Sequence, residues 1–213
     1  MSDPRTELAA AGARLAALGL SPGSSGNLSV RIDDRVLITP TGADLAEVDP
    51  DGLSVLGLDG THLDGPRPSK EFPLHGAFYR RDDATRAVVH LHARNATAVS
   101  CLPPWSARSA VPPLTPYFVM RVGQTPLIPY ATPGDADQAE ALALLPFPLR
   151  AALLQNHGPV LAGPTMARAV DAAVELEEVS ALLLSLGERS PRLLTPAEAD
   201  ALARTYDSPW GEH

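Results

Sequence analysis

Three histidines are spaced so that they could hold one metal ion. His90 and His92 form an H-x-H pair in the segment AVVHLHA, and His157 lies in an Asn-His-Gly-Pro turn. Because side chains alternate along a strand, we expect both imidazoles of the H-x-H pair on one face, within reach of the same ion. Three imidazoles without a cysteine are typical of a zinc site that keeps one position open for a substrate. Glu71 is the expected fourth ligand or the acid/base group.

Each part of this pattern also has an explanation without a metal. Two histidines on one strand face are common on protein surfaces, and Asn-His-Gly is a favourable turn sequence. We expect His75 on a helix surface or packed between elements, His62 in a loop and His213 in the tail. Cys101 is the single cysteine. It can form neither a disulfide framework nor a cysteine metal site, and a small buried side chain is expected there.

Lys70 is the single lysine among the 17 lysines and arginines of the chain, and it directly precedes Glu71. A GC-rich genome explains a general preference for arginine, but it does not explain why this lysine remains. Ser69 is a plausible N-cap of a helix that continues to about Arg81, with Pro73 in its first turn. Such a helix start favours an anionic ligand, so an ammonium group here could serve one site.

Two turns rich in small polar residues, GSSGNLS and TPTG, form a second group of candidates. Turns of this kind offer backbone N–H groups and hydroxyls that can cradle a phosphate without basic side chains. Taken alone, they are equally consistent with ordinary turns.

The intervening segments show the periodicities of helices and strands that would position these residues. The segment LSVLGL between two Asp-Gly turns predicts a hairpin, and PPWSARSAVPPLTPY predicts a long proline-rich loop. A capping box is expected at Thr195 and Glu198. Helices are expected over 6–20, 69–81, GDADQAEALALLP, 165–187 and 195–205, and strands over 36–38, 87–93 and both halves of AALLQNHGPVLAG.

Composition excludes several classes of function. The chain has 213 residues, 45% of them hydrophobic, and a formal net charge of −8. An acidic chain without clustered Lys and Arg argues against a nucleic-acid partner. Its apolar runs fall short of the ~20 residues of a membrane-spanning helix, and no leader-like segment opens it, so a cytoplasmic location is expected. Without a clear linker or repeat, residues 1–213 are expected to form one domain.

Read in order, the motifs G-N-L-S, T-P-T-G, P-S-K-E, H-L-H and N-H-G resemble the class II aldolase/adducin family over about 8–184. The resemblance implies one three-layer α/β/α domain with a mainly antiparallel central sheet. It also implies a homotetramer with active sites at the subunit interfaces, acting on a small phosphorylated sugar-type substrate. A membrane or nucleic-acid partner is not expected.

The same resemblance implies roles for individual residues. His90, His92 and His157 would bind zinc, with Glu71 as acid/base and as a further ligand when no substrate is present. Such ligands would also accept manganese, cobalt or iron. Tyr117 would come close to the reacting carbon from a neighbouring subunit, with interface packing as its alternative role, and Arg121 could reach a substrate anion there. The residues implied to bind the substrate phosphate are Gly26, Asn27, Thr41, Gly42, Ser69 and Lys70.

Lys70 stands where sugar-phosphate aldolases of this family typically carry a second serine, so that S-S-E becomes S-K-E. With LTPYFVMRVG and HLHARNATAVSCL, this is similar to the branch that decarboxylates a four-carbon 3-keto sugar-acid phosphate to dihydroxyacetone phosphate. Loss of CO2 from such an acid gives the same enediolate that aldol cleavage leaves. The alternatives are a zinc-dependent sugar-phosphate aldolase or epimerase, and a non-catalytic adducin-like scaffold. A scaffold is expected to have lost some of the four site residues.

Overall fold

The computed structural model describes residues 3–211, which leaves His213 outside the described residues. Within these residues, eight strands form one sheet flanked by helices. The strands are β1 (Asn27–Ile32), β2 (Arg35–Ile38), β3 (Ser54–Gly57), β4 (His62–Asp64), β5 (Ala87–His90), β6 (Leu127–Ile128), β7 (Ala151–Leu154) and β8 (Gly158–Gly163). The helices are α1 (Pro4–Ala17), α2 (Phe72–Arg81), α3 (Arg94–Ser100), α4 (Pro116–Arg121), α5 (Ala136–Ala143), α6 (Met166–Leu186) and α7 (Pro196–Tyr206).

The strand order in the sheet is β4-β3-β2-β1-β5-β8-β7-β6. Each neighbouring pair is antiparallel except β6 and β7, which run parallel. The predicted α/β fold with a mainly antiparallel sheet is therefore confirmed.

Both faces of strands β5, β7 and β8 are buried, as the alternation along β5 illustrates. Ala87 and Val89 point into a core shared with α1, α3, α4, α6 and α7. Val88, between them, points into a second core shared with α2 and α5. Alternate side chains of a strand face opposite sides, so one apolar strand supports both helical layers of the predicted α/β/α arrangement.

Helices with strong local signals form as the sequence predicts. Thr165 caps α6 by accepting a hydrogen bond from the backbone N–H of Arg168, and Gly187 ends that helix. Thr195 and Glu198 form the predicted capping box of α7. Within residues 3–211, no helix combines the length and the apolar character that crossing a membrane requires.

Four local predictions are wrong. The strand expected over 87–93 ends at His90, and the loop expected to extend to Tyr117 ends where α4 begins at Pro116. Helix α3 occupies residues 94–100, for which no element was predicted. Ser69 does not cap α2, which begins at Phe72; its hydroxyl instead accepts a 3.3 Å hydrogen bond from the backbone N–H of Glu71. Cys101 is exposed rather than buried, because it lies at the C-terminal end of α3, where residues 101–105 are all exposed.

Candidate metal centre

Two neighbouring antiparallel strands bring the three histidines to one end of the sheet. His90 is the last residue of β5 and His92 follows it by two positions, while His157 lies in the turn directly before β8. His90 pairs with Val160 of β8, so the turn that carries His157 lies beside the segment that carries His92. The imidazole ring centroids are 4.8–5.3 Å apart, and one nitrogen from each ring lies within 4.8 Å of the others.

The ring of His90 is oriented as a metal ligand would be. Its Nδ1–H donates to the carbonyl oxygen of Pro159 at 2.9 Å, which leaves a lone pair on Nε2. Within residues 3–211, this buried Nε2 has no hydrogen-bond partner. The Nε2 atoms of His92 and His157 approach to 3.1 Å, where two neutral nitrogens need a shared proton or a cation. These residues fit a divalent metal ion.

Glu71 faces the same point from the start of α2. Its Oε2 lies 3.5 Å from Nε2 of His90, and its Oε1 lies 3.5 Å from Nε2 of His157. The side-chain amide of Asn27 donates to Oε2 at 2.7 Å. The structure thus brings the four predicted metal and acid/base residues together.

The protonation states also suit a metal ligand set. Burial lowers the pKa of His90 to about 4 and also lowers the pKa of His92 and of His157. Burial raises the pKa of Glu71, but His90, the Asn27 hydrogen bond and His157 together hold it below its ordinary value. At neutral pH the imidazoles are therefore neutral and the carboxyl group is ionised, the forms that bind metals.

Lys70 is exposed but lies beside this cluster. Burial is the main reason why the pKa of His157 is lowered, and the positive charge of Lys70 adds to that effect. The aliphatic part of the lysine lies along Gly134, whose φ of +98° suits glycine; a Cβ added there would come within 3.0 Å of Cδ of Lys70. The structure therefore holds one ammonium near the histidines.

The turns predicted to bind phosphate surround the same end of the sheet. Gly26, with φ of +80°, packs so closely that an added Cβ would lie 2.7 Å from the carbonyl oxygen of His90. The hydroxyl of Thr41 donates to the carbonyl oxygen of Pro68 at 2.7 Å, which joins the TPTG turn to the segment before Ser69. Gly42 is exposed beside Thr41, while Ser69 is buried.

The predicted role of Asn27 is narrowed by its contacts. Its amide oxygen accepts a hydrogen bond from Nε2 of His75 at 2.5 Å, and one N–H of its amide group donates to Glu71. A side-chain amide carries two N–H hydrogens, so one remains for a substrate.

Tyr117 and Arg121 lie away from the histidines of their own chain. Tyr117 is in α4, not in a loop as predicted, and Arg121 lies 4.8 Å from its ring centroid. Both line a surface cavity of about 490 Å³ together with Gly163, the last residue of β8. His157 precedes the other end of that strand, about 20 Å away for six residues of extended chain. Within one chain, these two residues cannot complete the histidine cluster.

Three buried residues near Glu71 were not identified from the sequence as parts of the site. No site role was predicted for His75 or Tyr79, and Ser29 entered only as the last residue of the G-N-L-S motif. All three are buried and hydrogen bonded in one chain that ends at Glu71. A signal was present, because Glu71, His75 and Tyr79 recur every four residues and so share one face of a helix.

Comparison with known proteins agrees with this geometry. The family model described as Class II Aldolase and Adducin N-terminal domain matches residues 6–184. The chain is 45% identical over 192 residues to the 3-oxo-tetronate 4-phosphate decarboxylase of Pectobacterium atrosepticum, covering 90% of this chain and 88% of that protein. It is 35% identical over 170 residues to the L-fuculose phosphate aldolase of Escherichia coli, covering 79% and 76%.

A solved structure extends the similarity to three dimensions. YgbL from Klebsiella pneumoniae matches with a TM-score of 0.89 and 44% identity, covering 93% of this chain and 97% of that one. The chain belongs to the class II aldolase and adducin family. The resemblance drawn from the five motifs is thus confirmed.

Proposed function

We propose that this protein is a metal-dependent decarboxylase that converts 3-oxo-tetronate 4-phosphate to dihydroxyacetone phosphate and CO2. The observation that carries the proposal is the lysine–glutamate pair beside the histidine cluster. Glu71 lies 3.5 Å from two of the three histidines. Lys70 directly precedes Glu71, and its positive charge adds to the effect of burial in lowering the pKa of His157. The 45% identity to a protein of this name supports the choice of substrate.

The reaction breaks the bond between C1 and C2 of the substrate. The electron pair of that bond moves into the C2–C3 unit as an enediolate, and a proton added at C2 completes dihydroxyacetone phosphate. His90, His92 and His157 would hold the metal through their Nε2 nitrogens. The bound ion, zinc in our proposal and manganese, cobalt or iron as alternatives, would stabilise the developing negative charge as a Lewis acid.

Glu71 is the proposed proton donor to C2. Its carboxylate takes up a proton from water and delivers it to the carbon from which CO2 has left. The hydrogen bond from Asn27 holds the carboxylate at a fixed orientation beside His90 and His157. In the absence of substrate, Glu71 would serve as a further metal ligand.

Two groups of residues would bind the charged ends of the substrate. Lys70 would hold the carboxylate or the phosphate with a compact ammonium that has three donors. The turns would bind the phosphate through backbone N–H groups and small side chains. The proposed phosphate-binding residues are Gly26, Asn27, Thr41, Gly42 and Ser69, together with Lys70.

We also propose that the active enzyme is a cytoplasmic homotetramer whose sites form between subunits. Tyr117 and Arg121 support this arrangement, because they are exposed on α4 at the end of the sheet remote from the histidines. A neighbouring copy could present them to the substrate, with Tyr117 near the reacting carbon and Arg121 near an anionic group.

Turnover of 3-oxo-tetronate 4-phosphate tests the proposal directly. The purified protein, loaded with zinc, should release CO2 and dihydroxyacetone phosphate in equal amounts, and Glu71→Gln should abolish both. Cleavage of L-fuculose 1-phosphate without decarboxylation would instead support an aldolase. The 35% identity to an L-fuculose phosphate aldolase is the reason to test this alternative. Absence of bound metal by mass spectrometry, with no turnover of either substrate, would support a scaffold.

A further inference from the structure

A chain of four hydrogen bonds runs through the interior from Tyr79 to Glu71. The hydroxyl of Ser29 lies 2.6 Å from Oη of Tyr79 and 2.7 Å from Nδ1 of His75. Nε2 of His75 lies 2.5 Å from Oδ1 of Asn27, whose amide nitrogen lies 2.7 Å from Oε2 of Glu71. Ser29, His75, Tyr79 and Asn27 are each at most 4% exposed. The chain joins strand β1 to helix α2 beneath the metal centre.

The direction of every hydrogen bond follows from the carboxylate at its end. An ionised carboxylate only accepts, so the Asn27 amide must turn its NH2 group toward Glu71 and its oxygen toward His75. That oxygen also only accepts, so His75 must carry its hydrogen on Nε2. Nδ1 of His75 is then an acceptor, to which Ser29 donates its hydroxyl hydrogen, and Tyr79 in turn donates to Ser29. All four donors point toward Glu71.

Burial makes this single arrangement persistent. His75 is fully buried, and this burial is the main cause that lowers its pKa to about 3; the nearby His90 contributes a smaller lowering. The ring therefore stays neutral at physiological pH. Burial likewise raises the pKa of Tyr79, which keeps its hydrogen available to Ser29. A neutral imidazole with one donor and one acceptor matches its two partners in a single tautomer.

We propose that His75 is a positioning residue that fixes the Asn27 amide and, through it, the orientation of the Glu71 carboxylate. Without a donor at Nε2, nothing holds the amide oxygen of Asn27 in place and the amide can rotate. Rotation turns that oxygen toward the carboxylate, and because both are acceptors the hydrogen bond to Glu71 is lost. Hydrogen bonds in a buried chain also polarise one another, which strengthens the final bond to Glu71. As far as it concerns catalysis, this inference rests on the proposed function.

Two substitutions separate positioning from simple packing. The amide of His75→Gln reaches the place of Nε2 and can still donate to Asn27, whereas that of His75→Asn ends near Nδ1 and cannot. We expect His75→Asn to lower kcat about 10- to 100-fold with little change in KM, and His75→Gln to recover most of that loss. Equal impairment of both variants, or wild-type kcat in His75→Asn, would overturn the proposal.

Thr125→Val is the matched control for loss of a buried hydroxyl. Thr125 is fully buried and donates to the carbonyl oxygen of Gly123 at 3.1 Å, away from the metal centre. We expect a lower Tm with unchanged kcat. A parallel fall of kcat in Thr125→Val and His75→Asn would mean that kcat follows stability alone, against a positioning role.

A second readout does not depend on turnover. In the metal-free protein labelled with nitrogen-15, the NMR signals of the His75 imidazole are identified by their absence from His75→Gln. These signals should show a neutral ring that is protonated on Nε2. One side-chain N–H of Asn27 should be shifted by its bond to Glu71, and that shift should vanish in His75→Asn. An Nδ1-protonated or cationic ring would overturn the inference. If the wild type lacked decarboxylase activity, this experiment would still decide the role of His75.

Discussion

At the scale of single residues, Lys70 distinguishes the proposed decarboxylase from an aldolase. Arginine at this position would be bulkier and would grip a carboxylate with two parallel hydrogen bonds, which resists its departure as CO2. We expect Lys70→Arg to keep its Tm and metal content but to lose most of kcat/KM, about tenfold or more. Steady-state kinetics with metal analysis measures both. Wild-type turnover in Lys70→Arg would refute a specific need for lysine.

His75 makes the stability of the metal-free protein depend on pH. Its pKa is lowered to about 3 by burial and by His90, against the opposing effect of Glu71, while an unfolded histidine titrates near 6.5. Between these values the unfolded chain binds a proton that the folded chain excludes, so stability falls as the pH falls from about 6.5 toward 3. The expected slope is up to about 1.4 kcal/mol per pH unit.

Comparing the wild type with His75→Gln isolates this contribution. The groups that face His75 are Glu71, His90, Asn27, Ser29 and Tyr79, and all of them are retained in the variant. Urea unfolding at several values between about pH 4 and 7 should give a shallower dependence for His75→Gln. Parallel curves would show that His75 does not titrate as its burial requires.

Residue types and spacing indicated that His90, His92 and His157 could hold one ion with Glu71 nearby, and the family resemblance assigned each of them a role. The alternation of a strand extends past the end of β5, so the H-x-H pair shares a face even though His92 lies outside the strand. The role of His75 could not be predicted in the same way. Its partners Asn27 and Ser29 lie 48 and 46 positions away, and only the packing of α2 on β1 brings them together.

At the scale of elements, helix α3 depends on a carboxylate from another helix. Ala93 at its N-cap has no side-chain oxygen, and Glu177 of α6 accepts hydrogen bonds from the backbone N–H groups of Asn95 and Ala96 at 2.9 and 2.8 Å. A third bond comes from the Asn95 side chain at 2.8 Å. This helix begins two residues after His92, so Glu177 supports the segment that carries a proposed ligand.

Removing that carboxylate should destabilise the fold. Glu177→Ala leaves buried N–H groups without a partner, and we expect it to lower the free energy of unfolding by about 2–4 kcal/mol. Glu178→Ala is the control, since this neighbour is exposed and should change stability by less than about 0.5 kcal/mol. Urea unfolding of both variants makes the comparison; equal effects would contradict the capping role of Glu177.

Elements were predictable where their signals are local. Helix α6 has its cap at Thr165 and its terminal glycine within its own segment, so both ends were predicted within a residue. Helices α3 and α4 have only 7 and 6 residues, too short for a clear periodicity. The cap of α3 comes from Glu177, which is remote in sequence, and so the sequence offered no start signal for it.

At the scale of the whole molecule, the core continues beyond the matched family segment. Ala199 and Ala203 of α7 and the following Trp210 belong to the same buried cluster as α1 and the sheet. The ring of Trp210 packs edge-on against Phe118 of α4 at a centroid distance of 5.8 Å. We therefore propose that residues 3–211 form one domain, with the histidines at one end of its sheet and α4 toward the other.

That separation leads to a test of the shared site. Glu71→Gln lacks the acid/base group but keeps α4, whereas the double variant Tyr117→Phe/Arg121→Ala lacks the residues that a neighbour would supply. We expect each variant alone to be strongly impaired. Dissociated, mixed in equal amounts and reassembled, they should regain about a quarter of wild-type activity, because random assembly pairs an intact histidine end with an intact α4 in that fraction of interfaces.

A second mixture provides the control. In this mixture every chain carries either Glu71→Gln or His90→Ala, so every chain has a defect at the histidine end. No interface then contains an intact site, and the activity of the mixture should remain at the level of the two separate variants. Recovery in the first mixture but not in the second would mean that the substrate contacts two copies of the chain. No recovery in either mixture, or full activity of the double variant alone, would place Tyr117 and Arg121 outside the active site.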